Sequence, residues 1–185
     1  MNSAGACFVR WRVRLGYPLA IAVLFFARPN PRSILYGALV GIIGLALRAW
    51  AAGYLHKQKI LTVTGPYAYT RNPLYLGSAI LALGVAIAAR SWISASIIAA
   101  YFTIVYFVVM RREERELRVQ RGADFDRYAA AVSLFLPWFS SVSVERGSHG
   151  TFSLAQYRKN HEWQAAAGFV LLLAVLILIW RLRGS

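Results

Sequence analysis

Thirteen residues, Gly65-Pro66-Tyr67-Ala68-Tyr69-Thr70-Arg71-Asn72-Pro73-Leu74-Tyr75-Leu76-Gly77, set an arginine, an amide and three tyrosines at the mouth of an apolar segment. A second apolar segment ends in Glu113-Glu114. Pro73 suits the first turn of a helix. A helix start offers free N–H groups and the positive end of the dipole. With the Arg71 guanidinium added, it is a place for a carboxylate or phosphate. The competing reading of Arg71 is a cationic anchor at a membrane surface. Tyr67, Tyr69 and Tyr75 can wall an adenine or orient a substrate, or can belong to an interfacial aromatic belt. Adjacent helical glutamates point about 100° apart, so one of Glu113 and Glu114 can face inward while the other meets water. Such a carboxylate can bind ribose hydroxyls, an ammonium or a sulfonium, or accept a proton. The alternative is a solvated helix end. Arg48 lies in an apolar segment about 12 Å of helix from His56. It is either a functional charge in the membrane or a side chain reaching back to the surface.

These residues need a scaffold that returns both segments to one face. The 185-residue chain is one domain by length, 58% hydrophobic and only 15% charged, with a mean hydropathy of +0.49. Its apolar residues fall in long runs, as in a polytopic membrane protein. The net charge of +14 does not indicate nucleic acid, because the Lys and Arg residues flank the apolar runs. Anionic lipid headgroups remain fitting partners. One cysteine, Cys7, excludes an intrachain disulfide, and His56, His149 and His161 are too scattered for a zinc pattern. No metal site is expected.

Five spans are expected, at residues 11–27, 34–54, 74–89, 92–110 and 164–180, in an all-α transmembrane bundle. The first is short and follows Arg10, Arg12 and Arg14. Phe25-Phe26-Ala27 makes a poor cleavage site, so it reads as an uncleaved span. The third and fourth spans, about 24 and 29 Å long, are joined only by Arg90-Ser91. That makes a tight antiparallel hairpin, which brings the Arg71 region and Glu113-Glu114 within reach of each other. Of the 21 Lys and Arg residues, 15 fall on the side of the two motifs and five on the other, with Arg48 inside span two. The motifs are therefore expected in the cytoplasm and the C-terminus outside, provided the first span crosses. Residues 111–131 read as a helix leaving span four, with Arg112/Glu116 and Glu114/Arg118 spaced to pair and interrupted at Gly122. Residues 134–139, with Pro137 and Trp138, read as interfacial and residues 140–150 as a loop. Gly37, Gly41 and Gly44 form a small-residue packing face.

The constellation resembles the isoprenylcysteine carboxyl methyltransferase and phospholipid methyltransferase family of integral membrane methyltransferases. The resemblance covers about residues 40–139. It runs through Leu47-Arg48-Ala49-Trp50, the stretch from Leu61 to Tyr67, Arg71-Asn72-Pro73-Leu74-Tyr75-Leu76-Gly77, Glu113-Glu114 with Leu117, Gly122 with Phe125 and Tyr128, and Val132 with Pro137. It implies S-adenosyl-L-methionine as methyl donor and a cytoplasmic catalytic segment after span four. The implied cofactor-binding residues are Gly65, Pro66, Tyr67, Arg71, Asn72, Pro73, Tyr75, Leu76 and Gly77 with Glu113 and Glu114. Arg71, Glu114 and Arg48 are the candidate catalytic residues. Three positions differ from the family pattern. Asn72 stands where a histidine is usual, Arg121 where an aromatic is usual, and Leu134 where an arginine is common. Asn72 cannot titrate.

The expected function is methyl transfer to a lipid-embedded or hydrophobic acceptor in a bacterial or archaeal inner membrane. An isoprenyl carboxylate, an amino-phospholipid, an amine or a thiol would fit, with the active site facing the cytoplasm. The alternatives are an NADPH-dependent reductase of the related sterol-reductase group and a non-catalytic scaffold. The fifth span, beyond the resemblance, can seal the site or mediate oligomerisation.

Overall fold

The computed structural model describes residues 16–55, 61–137 and 151–184. Expectations resting on Cys7, Arg10, Arg12, Arg14, His56, Trp138, His149, the start of the first span and the loop at 140–150 lie outside the described residues.

Each helix begins and ends on recognisable local chemistry. The first helix, α1 (Gly16–Phe26), leads into α2 (Pro31–Tyr54). Asn30 caps α2 by accepting from the Ser33 amide at 2.7 Å, while the Ser33 hydroxyl accepts from the Asn30 amide at 3.0 Å. This reciprocal pair satisfies two amides that a bare helix start leaves open. Pro31 fills the first helical position. After the short 3-10 turn Gly65–Ala68, α3 (Pro73–Ala89) starts on Pro73. It stops where Arg90 enters the left-handed region at φ 48°. Ser91 then caps α4 (Trp92–Tyr101), so the two-residue hairpin expected from the sequence is present.

The expected fourth span is one continuous helix from Trp92 to Arg121. It consists of α4, a widened π turn at Phe102–Tyr106, and α5 (Phe107–Arg121). Gly122, at φ 51°, ends it as expected, and α6 (Ala123–Ala131) follows. The short α7 (Leu154–Lys159) precedes α8 (Trp163–Gly184).

Among the described residues, three helices are long and apolar enough to cross a membrane: Pro31–Tyr54, Trp92–Arg121 and Trp163–Arg183. The helices α1 and α3 are apolar but shorter, so length supports three full spans of the five expected. Large apolar side chains such as Leu35, Ile42, Leu83, Ile104 and Leu171 point outward. Hydrocarbon can cover such an outer face. The architecture is thus an all-α integral membrane bundle.

Glycines let α2 and α3 run antiparallel in near contact. A Cβ on Gly84 would lie 2.6 Å from the Gly37 carbonyl and 2.7 Å from the Gly41 amide. One on Gly44 would lie 2.7 Å from the Gly77 carbonyl. The Phe169 ring of α8 occupies the notch at Gly41. The expected small-residue face therefore packs against two helices. At the hairpin end, Val23, Ala27, Ala88, Ala89 and Leu176 form a buried cluster. There the Arg28 amide donates to the Ala89 carbonyl at 2.8 Å, and the Arg183 guanidinium donates to the Ala27 carbonyl at 2.6 Å.

Because the obstructing atoms at Gly84 are backbone, Gly84→Val cannot be absorbed by side-chain movement and is expected to destabilise the bundle by at least about 1–3 kcal/mol. Gly168, with nothing within 4 Å of an added Cβ, is the matched control. Thermal unfolding in detergent should show a lower midpoint for Gly84→Val and no loss for Gly168→Ala.

Candidate active site

The site is assembled at the end opposite the α1–α2 turn, where the hairpin returns α5 to the start of α3. The Arg71 guanidinium pairs with the Glu114 carboxylate. Their side chains are only 14% and 11% exposed, so the pair is largely withdrawn from water. Arg111 reaches the other Glu114 oxygen at 3.4 Å. One turn into α3, the Tyr75 hydroxyl donates to Glu113 at 2.7 Å. Glu113 is exposed while Glu114 is buried, which is the division expected from their angular spacing.

Aromatic rings line the same junction. Tyr75 meets Tyr106 edge to face at 5.3 Å, and Tyr106 stacks on Phe102 at 4.2 Å. Both partners belong to the widened turn of the long helix, a type of irregularity common at functional sites. Phe135 approaches Phe102 at 6.4 Å.

The loop before α3 is held by the segment after α6. The Arg71 amide donates to the Ser133 carbonyl at 2.9 Å, and the Thr70 hydroxyl to the Phe135 carbonyl at 2.9 Å. The Asn72 side-chain amide donates to the Leu134 carbonyl at 2.9 Å. Two positions that depart from the resembled pattern, Asn72 and Leu134, therefore touch each other. Asn72 serves as a tie between segments rather than as a helix cap, since its side chain makes no capping bond.

Below this, the buried Tyr128 hydroxyl donates to the Tyr67 carbonyl at 2.7 Å. Burial pushes both phenols above their ordinary range; the Tyr128 carbonyl-bound hydroxyl feels a smaller opposing pull from Arg71. Both stay protonated at neutral pH.

The predicted site residues divide by placement. Arg71 and Tyr75 face the two glutamates. Pro66, Tyr67 and Pro73 are buried packing positions. Gly65, at φ 61°, makes the turn under the Tyr54 ring. Gly77 faces α2, where a Cβ would lie 2.7 Å from the Arg48 Cγ. The Leu76 amide donates to the Asn72 carbonyl at 3.0 Å in the first turn of α3. The Arg48 guanidinium is not directed at Glu113 or Glu114 but at another carboxylate. It forms a two-pronged pair with Glu162, at 3.0 Å for both Nε and Nη2. The expected Arg112/Glu116 pair forms at 2.9 Å. The Glu114/Arg118 pair does not, because Arg71 and Arg111 hold Glu114 and Arg118 turns to Asp126 at 2.7 Å.

Sequence reasoning missed Glu162, Phe102, Tyr106 and Phe135, and named Tyr128 only as part of the resemblance, with no role at the site. Glu162 carried a signal, being the one acidic residue after Glu145 and standing at the entry to an apolar helix. Among the described residues, no three His, Cys, Asp or Glu side chains gather as metal ligands would.

Residues 34–120, just under half of the chain, match the phospholipid methyltransferase family. The matched segment holds Arg48, the Gly65–Gly77 stretch and Glu113-Glu114, and ends before α6. Two curated relatives are similar over wider or overlapping regions. The cobalt-zinc-cadmium resistance protein CzcN of Cupriavidus metallidurans is 28% identical over 81% of this chain and 71% of its own length. The nickel-cobalt-cadmium resistance protein NccN of Alcaligenes xylosoxydans xylosoxydans is 33% identical over 57% of this chain and 52% of its own length. The chain thus spans about half of the latter protein. No solved structure matches the chain.

Removing either partner of the Arg71–Glu114 pair leaves a buried charge, so Arg71→Ala or Glu114→Ala is expected to cost about 3–5 kcal/mol. The double variant Arg71→Met/Glu114→Leu should cost less than the two single changes summed, as a double-mutant cycle of detergent unfolding will show. Tyr128→Phe orphans the Tyr67 carbonyl and is expected to cost about 1–3 kcal/mol. In the native protein the raised phenols contribute stability that is complete below about pH 10 and is lost as pH rises above it. A pH series of thermal midpoints checks this: Tyr128→Phe should flatten the alkaline decline.

Proposed function

We propose that this chain is an S-adenosyl-L-methionine-dependent methyltransferase. It acts on a lipophilic acceptor at the cytoplasmic face of a bacterial or archaeal inner membrane. The observation that carries this reading is the junction of α3 and α5. There Arg71 meets Glu114, and Tyr75 meets Glu113, at the polar end of an apolar bundle. The match of residues 34–120 to the phospholipid methyltransferase family supports it.

The residues present fit such a donor. Arg71 Nε is buried and has no hydrogen-bond partner among the described residues, so it offers a donor to a ligand carboxylate. Glu113, which is exposed, offers oxygens to ribose hydroxyls or to an ammonium. The rings of Tyr75 and Tyr106 offer faces to a purine or a cation. S-adenosyl-L-methionine supplies a methyl group already activated on a sulfonium.

The protein's own work is then alignment and exclusion of water. The Arg71–Glu114 pair holds the loop and α5 in register. The apolar outer surface delivers an acceptor dissolved in lipid. Glu113 is placed to take the proton that an amine or thiol acceptor releases. Asn72, tied to Leu134 and unable to titrate, does not serve as the acid or base. The acceptor class is an amine, thiol or carboxylate on a lipid-soluble body. The names of both relatives associate this membrane chemistry with resistance to metals such as cobalt and cadmium.

Purified protein in detergent should bind S-adenosylhomocysteine in a calorimetric titration and leave NADPH unbound. With donor labelled on its methyl group and a total lipid extract, label should partition into lipid. Arg71→Ala should lower that transfer by about 100-fold. Binding of NADPH alone, or of neither ligand, overturns the proposal.

A further inference from the structure

Arg48 is a cation within the apolar α2, and such a charge requires a counterpart. The chain has seven acidic residues, and the one that answers Arg48 comes from the C-terminal helix pair, outside the family-matched segment. Glu162 takes the guanidinium with both oxygens, Nε at 3.0 Å and Nη2 at 3.0 Å, and is 10% exposed against 20% for Arg48. The fork geometry is the strong form of an arginine–carboxylate contact.

The corner between α7 and α8 is built to aim this carboxylate. His161 adopts φ 56°, the left-handed region that non-glycine residues seldom enter. The corner is also fastened to the end of α2. Gln156 donates to the Leu55 carbonyl at 2.9 Å and Asn160 to the Ala52 carbonyl at 2.9 Å. These bonds satisfy carbonyls that a helix end leaves open. The Phe152 ring fills the notch at Gly53.

Arg48 has a third arm, and that arm reaches α3. Its Nη1 donates to the Ser78 hydroxyl and to the Leu74 carbonyl, the latter at 3.4 Å. Ser78 in turn donates to the Leu74 carbonyl at 2.9 Å. The stem of Arg48 crosses α3 at Gly77, the one place where the absence of a Cβ admits it. A chain of contacts therefore runs from Glu162 through Arg48 to the first two turns of α3. Those turns present Tyr75 and follow directly on Arg71 and Asn72.

We propose that Glu162 is a positioning residue for the active site: by holding Arg48 against Ser78 and the Leu74 carbonyl, it fixes the start of α3 and thereby Tyr75 and Arg71. The C-terminal helix is then part of the site's support and not only a membrane anchor. The effect on catalysis rests on the methyltransferase reading; the effect on α3 does not.

The test uses the full chain in detergent micelles with three variants: Glu162→Gln, Glu162→Asp and the swap Arg48→Glu/Glu162→Arg. Amide hydrogen exchange over residues 73–78 is measured beside thermal unfolding and methyl transfer to lipid. Glu162→Gln should speed exchange there and lower kcat/KM by at least about tenfold, with Glu162→Asp in between. The swap discriminates, because it restores the ion pair but leaves position 48 with no donor for Leu74. It should recover the unfolding midpoint while exchange stays fast and kcat/KM stays low. A swap that recovers native exchange and activity overturns the proposal, as does a folded Glu162→Gln with native exchange. If Glu162→Gln does not fold, Glu162→Asp and the swap decide by the same criteria. If the wild type transfers no methyl group, the methyltransferase reading fails, and the exchange measurements still decide the role of Glu162.

Discussion

A carboxylate drawn away from water at the mouth of a lipid-embedded bundle persists only with a cation beside it, and the Arg71–Glu114 pair meets that demand. Its two halves come from the loop before α3 and from the far end of the long helix. For them to meet, α3 must stand antiparallel to α4 and α5, which the two-residue turn at Arg90 and Ser91 imposes. The long helix must also run on past the apolar region to residue 121. The Ser133, Leu134 and Phe135 carbonyls then tie the loop from behind. The pair is thus the point at which hairpin geometry, helix length and the post-helix segment converge.

Charge placement follows one economy throughout. With only seven acidic residues against 21 basic ones, most carboxylates in the described regions are committed to a particular arginine. Glu114 answers Arg71 and Arg111, Glu162 answers Arg48, and Asp126 answers Arg118. The exposed pairs on α5 and α6 contribute little to stability. The two largely buried pairs each join a helix to a distant connecting segment, Glu114 of α5 to the loop before α3 and Arg48 of α2 to the corner before α8, and therefore matter to the arrangement. Both contact α3 or the loop that leads into it, which makes the start of α3 the best-fixed element near the site.

The motif stretch also divides its labour. Arg71 and Tyr75 face the glutamates, while Gly77 makes room for Arg48 and Pro66 and Tyr67 pack against the rest of the loop region. A run of motif residues is therefore not a run of ligand contacts. Asn72 illustrates the same point: its amide spans to the Leu134 carbonyl, a bond that requires a donor but no titration.

From the residues alone follow the apolar helices, the break at Gly122 and the hairpin at Arg90 and Ser91. The approach of the Arg71 region to Glu113-Glu114 follows from the same pattern. Those features depend on short-range chemistry: apolar run length, the freedom of glycine and the shortness of a connecting turn. Only the tertiary structure decided that Arg48 belongs to Glu162, that Tyr128 holds the Tyr67 carbonyl, and that Gly77 faces α2 instead of α5. These contacts link residues 114, 61 and 29 positions apart. No helical or turn period connects such positions, and a buried charge takes whichever opposite charge the packing of the helices brings within reach.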